Sequence, residues 1–230
     1  MKVTLLNSAN QQLITKDDFF DSEYLAKQAA AICVDKLDNP SDKGFEKAIK
    51  SGHYSILEHL PITFLVEDIS RACSHQLVRH RIASYSQQSQ RYAKVDTNEN
   101  WFVTPNSITG NIFTNETEIC IEEKYYGFMS TVARLYNEML EAGIPNEDAR
   151  MVLPNACFTS IIVSMNARSL IEQCSKRLCN RAQWEIKQVF KDMRECVKEI
   201  YPTIYELAVP NCYKKHGCLE AVMCKTPKSL

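Results

Sequence analysis

The stretch whose residue types could do chemistry is Arg79-His80-Arg81-Ile82-Ala83-Ser84-Tyr85-Ser86-Gln87-Gln88-Ser89-Gln90-Arg91-Tyr92. Two arginines flank a histidine, hydroxyls and amides follow, and a third arginine comes near the end. No carboxylate interrupts the run. Guanidinium forks hold phosphate oxygens in pairs, and Ser and Gln side chains satisfy what remains. The stretch therefore suits an anionic ligand. A helix C-terminus would explain one or two of the cations through its dipole, but not the acid-free polar run behind them.

Other devices for holding or attacking a ligand are missing. Six glycines provide no Gly-rich dinucleotide fingerprint and no phosphate loop, so any phosphate must be met by side chains. Each arginine offers five donors for that purpose, and His80 can add a ring contact or a hydrogen bond. Ser89 stands in no Ser-His-acid order, and its hydroxyl reads as a phosphate or ring contact. His53 and His59 lack a third ligand at a usual spacing. Cys212, His216, Cys218 and Cys224 match no common finger pattern, so no metal is expected.

Composition narrows the class. The chain has 230 residues and a net charge of −1, which disfavours a general nucleic-acid binder. A non-enzymatic module holding RNA or nucleotides through the basic run is the main rival reading. Ten cysteines without a secretory pattern in Met1–Asn10 are read as reduced, mostly buried thiols. No apolar span approaches membrane length, and a cytoplasmic protein is expected.

The positioning elements follow from periodicity. Strands are expected over Lys2–Asn7, Ile62–Val66 and Phe158–Met165, the last read as buried. A helix is expected over Ser22–Lys36, with Tyr24, Leu25, Ala29, Ile32 and Cys33 on one side. Asn39–Asp42 breaks the chain, and a short helix over Phe45–Lys50 ends at Gly52. From Ile69 to about Arg81 the spacing turns helical, which would put Arg79 and Arg81 near a helix end. Phe102–Phe113 reads as irregular. Glu116–Ala142 reads as one long amphipathic helix, with Ile119, Tyr126, Met129, Val132, Ala133, Tyr136 and Leu140 on its apolar side and Gly143 as its stop. Pro145–Arg150 starts another short helix. Asn166–Cys179 and Arg181–Tyr201 are helical, with Trp184 read as core.

Arg79-His80-Arg81, seven residues, then Ser89 and Arg91 resembles the signature of the flavin-dependent thymidylate synthases. Gly52–His59, Ala149–Pro154, Asn166–Leu170, Arg177 and Ala182–Ile186 match that family in the same order. The resemblance implies reductive methylation of dUMP to dTMP. Methylenetetrahydrofolate gives the carbon and FAD, reduced by NADPH, gives the hydride. Leu153–Cys157 faintly echoes the nucleophile segment of the cysteine-dependent thymidylate synthases, but Phe158 stands where their histidine would be. Cys157 is therefore read as a core thiol.

Site residues carry over position by position. The resemblance gives Arg177 as the catalytic residue, a fixed cation that stabilises charge on the pyrimidine. It gives Gln76, Arg79, Gln87, Gln88 and Ser89, with Gln90, Arg91, Arg150 and Arg177, as dUMP contacts. It gives Ser55, Arg79, His80, Arg81 and Ile82, with Gln87, Asn166, Arg168 and Glu172, as FAD contacts. His53 is placed near the flavin and its reductant. Gln87 departs from the family, where an acid often stands, so it keeps hydrogen bonding but loses a charge. The fold implied is α+β, a mixed or antiparallel sheet flanked by long helices in one domain over 1–230. The site is expected between subunits of a homotetramer, so the cations need not be neutralised within one chain.

Overall fold

The structure, a computed structural model, describes residues 1–8, 23–36, 38–98, 100–110 and 120–226. Its strands are β1 (Lys2–Ser8), β2 (Pro61–Ser70), β3 (Ser84–Gln87) and β4 (Phe158–Asn166). Its α-helices are α1 (Tyr24–Ile32), α2 (Asp42–Lys50), α3 (Arg71–Leu77), α4 (Ile121–Glu141), α5 (Asn146–Ala149), α6 (Ala167–Arg177), α7 (Trp184–Cys196) and α8 (Pro202–Leu207). The fold is α+β. The strands form one sheet in the order β1-β2-β4-β3, and β1 pairs antiparallel with β2, Val3 facing Val66. Contacts divide the chain into two compact units, neither continuous in sequence.

The first unit is Met1–Glu67, Gln76–Ser86 and Ile161–Leu230. Alternate residues of its strands point inward: Ile62, Phe64 and Val66 of β2, and Ile161, Val163 and Met165 of β4. The opposite face of β4 is open at Ile162, so this strand is buried on one face, not both. Helix α6 packs on α7 and α8 and on the 3-10 turn Tyr54–His59; α7 also packs on β1. Asn166 caps α6, its side-chain oxygen accepting the Ser169 N–H at 2.8 Å. Ser41 caps α2 in the same way, and Gly52 ends the following turn at φ +79°, where a side chain would be strained.

Two faces differ from the spacing expectation. Helix α1 buries Ala26, Ala30 and Ala31, while Ile32 and Cys33 are exposed. Ser22 lies outside the described residues. Trp184 opens α7 at 42% exposure and is not core. Glu185 is buried in its place, because 185, 189 and 193 recur four apart on the face that packs.

The second unit is Asp68–His75 and Gln87–Ser160. Its core gathers Trp101, Met129, Val132 and Cys157. Cys120 caps α4 with a reciprocal pair of bonds to Glu123, and Gly143 at φ +83° follows its end. The expected start of this helix, Glu116–Ile119, lies outside the described residues. Its buried side is Met129, Val132 and Tyr136; Tyr126 is largely exposed instead. Strand β2 runs on through Ser70, so Ile69 belongs to a strand and the following helix is shorter than its spacing suggests.

Candidate functional site

In the first unit the basic loop leaves α3 at Leu77, with the His80 N–H on the Leu77 carbonyl at 3.2 Å. Arg79 and Arg81 therefore lie past the helix, not on its last turn. Both are exposed, as is Ile82 at 68%. The Tyr85 hydroxyl closes the loop, within donating distance of the Leu77 and His80 carbonyls at 3.0 and 2.9 Å. Burial pushes that phenol up to about 12, so it remains a donor.

Arg177, the last residue of α6, reaches this loop. Its Nε–H donates to His80 Nε2 at 3.0 Å, and Nη2 donates to the Gln76 carbonyl at 3.3 Å. Burial first, then the charges of Arg177 and Lys176, push His80 down to about 4. The imidazole is neutral near pH 7 and accepts at Nε2. The Phe190 ring meets it edge-on, centroids 5.7 Å apart. A guanidinium has five donor hydrogens. These two bonds use two of Arg177's, leaving three.

The remaining expected residues of this unit sit nearer the start of α6. Arg168 donates through Nη1 to Glu58 at 2.6 Å and through Nε to Glu172 at 2.9 Å. These two carboxylates raise its pKa. Asn166 is occupied as the helix cap through its side-chain oxygen. His53 and Ser55, beside and within the 3-10 turn, are both exposed.

In the second unit the amide run is tied down residue by residue. Gln87 Nε2 donates to Ser74 Oγ at 2.8 Å and to Thr159 Oγ1 at 3.2 Å. The Gln88 N–H donates to the Ser160 carbonyl at 2.9 Å. The Ser89 hydroxyl accepts the Arg91 N–H at 3.2 Å. Gln90 Nε2 lies 3.5 Å from Cys157 Sγ. The cluster is not wholly free of acid: Arg91 Nε lies 2.9 Å from Glu147 Oε2. Arg150 Nε donates to the Glu147 backbone carbonyl at 3.0 Å.

Sequence reasoning missed two groups here, Glu147 and Arg71. Arg71 Nη1 donates to the Gln88 carbonyl at 3.3 Å, and burial lowers its pKa, with Arg150 adding like charge. Among the described residues it has no ion pair. Its place at the start of α3, eight residues before Arg79, is the signal that was available. Cys157 is fully buried, and burial raises its thiol while Arg71 and Gln90 pull it back.

These donors suit a ligand bearing phosphates. In the first unit Arg79 and Arg81 form no ion pair among the described residues, and a dinucleotide's diphosphate needs such donors where no glycine loop exists. The expected flavin set therefore fits in chemical type. Arg168 fits through the donors that Glu58 and Glu172 leave over. No group of three or more His, Cys, Asp or Glu that could hold a metal occurs among the described residues. Cys212, Cys218 and Cys224 line a cleft of about 90 Å³ with Cys179. No helix among the described residues is long and apolar enough to cross a membrane.

The family described as thymidylate synthase complementing protein matches residues 13–203. Relatives described as flavin-dependent thymidylate synthase include one from Geobacter sulfurreducens, 47% identical over 167 residues, 73% of this chain and 69% of that protein. One from Pyrococcus furiosus is 43% identical over 226 residues, 96% of this chain and 90% of the relative. One from Saccharolobus solfataricus is 42% identical over 77% of this chain, and the match spans 65% of that relative's length. Among solved structures, a UMP/dUMP methylase from Streptomyces cacaoi bound with 5-Br dUMP superposes with a TM-score of 0.72 at 22% identity, covering 90% of this chain and 93% of its own. A flavin-dependent thymidylate synthase from Helicobacter pylori, complexed with FAD and dUMP, does so with a TM-score of 0.69 at 22% identity, covering 91% and 100%. These two likenesses concern the fold.

Proposed function

The chain belongs to the thymidylate synthase complementing protein family, and on that footing we propose that it is a flavin-dependent thymidylate synthase converting dUMP to dTMP. The geometric observation that carries the reading is Arg177. It is a half-buried cation held at two donors by neutral partners, His80 and a backbone carbonyl, with its other donors left for a ligand.

Arg177 directs those donors at the pyrimidine, where negative charge develops as C5 becomes nucleophilic. A fixed donor aimed at developing charge is worth about 10²–10³ in rate. An arginine cannot serve as the base, since its pKa is above ~12. Arg150, Arg91 and Ser89 hold the nucleotide phosphate. Gln76, Arg79, Gln87, Gln88 and Gln90 complete its surroundings. Arg79, His80, Arg81 and Ile82 meet FAD, with Ser55, Gln87, Asn166, Arg168 and Glu172 contributing from their own elements. When bound, FAD reduced by NADPH supplies the hydride, and methylenetetrahydrofolate supplies the carbon. His53 lies on the side of the reductant. Cys157 is fully buried and stays out of the chemistry, so no covalent bond to the ring is required.

In this reading the whole chain, 1–230, is one catalytic domain acting in the cytoplasm as a homotetramer, and neighbouring subunits complete each site. The test is direct. Purified protein should be yellow and should form dTMP from dUMP, methylenetetrahydrofolate and NADPH. Arg177→Ala should keep the flavin absorbance and lose turnover by about 10²-fold or more. A colourless wild-type protein that forms no dTMP when FAD is added would refute the proposal.

A further inference from the structure

His80 belongs to the basic loop, and the resemblance would spend it on flavin alone. Its observed partners say something else. The Nε2 atom accepts from Arg177 Nε, a residue 97 positions away in sequence, at 3.0 Å. The ring also makes a T-shaped contact with Phe190, which is fully buried. The backbone beneath it is fixed by the Tyr85 hydroxyl at 2.9 Å from the His80 carbonyl.

We propose that His80 is the positioning residue of Arg177: its Nε2 takes the guanidinium Nε–H, fixes the plane of the fork together with the Gln76 carbonyl on Nη2, and leaves Nη1 and the remaining Nη2 hydrogen for the ligand. The inference rests on the thymidylate synthase reading for its functional meaning, though not for the contact itself. Three physical points support it. An arginine side chain has several rotatable bonds, and a single carbonyl contact, such as that to Gln76, leaves the fork free to turn. A second contact at Nε removes that freedom, and the direction of two bonds defines the plane. The acceptor must also be uncharged. A carboxylate at this point would neutralise the cation that the reaction uses, as Glu58 and Glu172 do for Arg168. A neutral imidazole orients the guanidinium and leaves its charge unspent. Its burial, together with Arg177 and Lys176, keeps it in that state.

The test uses the full chain labelled with 15N-arginine. The Arg177 Nε–H resonance is assigned by its disappearance in Arg177→Lys. In wild-type protein it should be sharp and slow to exchange at neutral pH. His80→Gln, whose amide oxygen reaches the position of Nε2, should keep it. His80→Asn, shorter by one methylene, should lose it. With flavin restored to equal occupancy, kcat should follow the same order: Gln within about fivefold of wild type, Asn down by about fiftyfold, with dUMP affinity changed less than about threefold. A retained resonance in His80→Asn, or equal turnover in all three proteins, overturns the proposal. Wild-type protein that shows the resonance pattern but makes no dTMP overturns the enzymatic reading and leaves the pairing standing.

Discussion

Arg91 and Glu147, 56 residues apart in sequence, form an ion pair with Nε 2.9 Å from Oε2. The same Glu147 accepts Arg150 Nε at its backbone carbonyl. One acidic residue thus steadies two of the arginines assigned to the nucleotide, using its side chain for one and its main chain for the other.

Glu147→Ala separates those two functions. The pair is about half exposed on both sides, so its loss should cost at most about 1 kcal/mol of stability and barely move Tm. Arg150 keeps its backbone contact. Arg91 loses its anchor, and KM for dUMP should rise roughly three- to tenfold, the equivalent of about 1 kcal/mol, with kcat little changed. Steady-state kinetics at low and high salt checks this. An unchanged KM would show that Arg91 needs no such support.

The neutral state of His80 has a pH signature. Its folded pKa is about 4, against an ordinary 6.5. Between those values the unfolded chain binds a proton that the folded chain refuses. The contribution is therefore complete above about pH 6.5 and is lost as pH falls toward 4. Thermal unfolding at several pH values should show wild-type Tm falling faster with acid than that of His80→Gln. Parallel curves would mean that the imidazole is not held neutral.

Cys157 should be inert. It is fully buried and its thiol is raised by burial, so little thiolate exists at neutral pH. Iodoacetamide should leave it unmodified in the folded protein, as read by mass spectrometry. Cys157→Ala should lose about 1 kcal/mol of stability and keep turnover within about threefold. Abolished turnover in a folded, flavin-loaded variant would point to a covalent role.

Much of the fold was legible because burial and spacing coincide. Asn166 as the start of a helix, Gly143 and Gly52 as stops, and β2 as a strand follow from local chemistry. The misread boundary at Ile69 has a clear cause. Ile69, Cys73 and Leu77 recur four apart and all reach the core, but the first does so from a strand. Trp184 was misjudged by its size, when its phase relative to Val189 and Met193 sets it off the packed face. Strand β3 went unread because Ser84-Tyr85-Ser86-Gln87 carries no apolar alternation. Within the candidate site, residue types were visible, but pairings were not. Nothing in a linear sequence joins Arg91 to Glu147, or Arg177 to His80.

That polar β3 lies last in the sheet order β1-β2-β4-β3, with Ser84 and Ser86 turned outward. A terminal strand of this make-up is a poor template for another chain, because stacking against it would bury hydroxyls without an apolar return. The residues that equip the chain for anionic ligands thereby also discourage open-ended strand addition along that border.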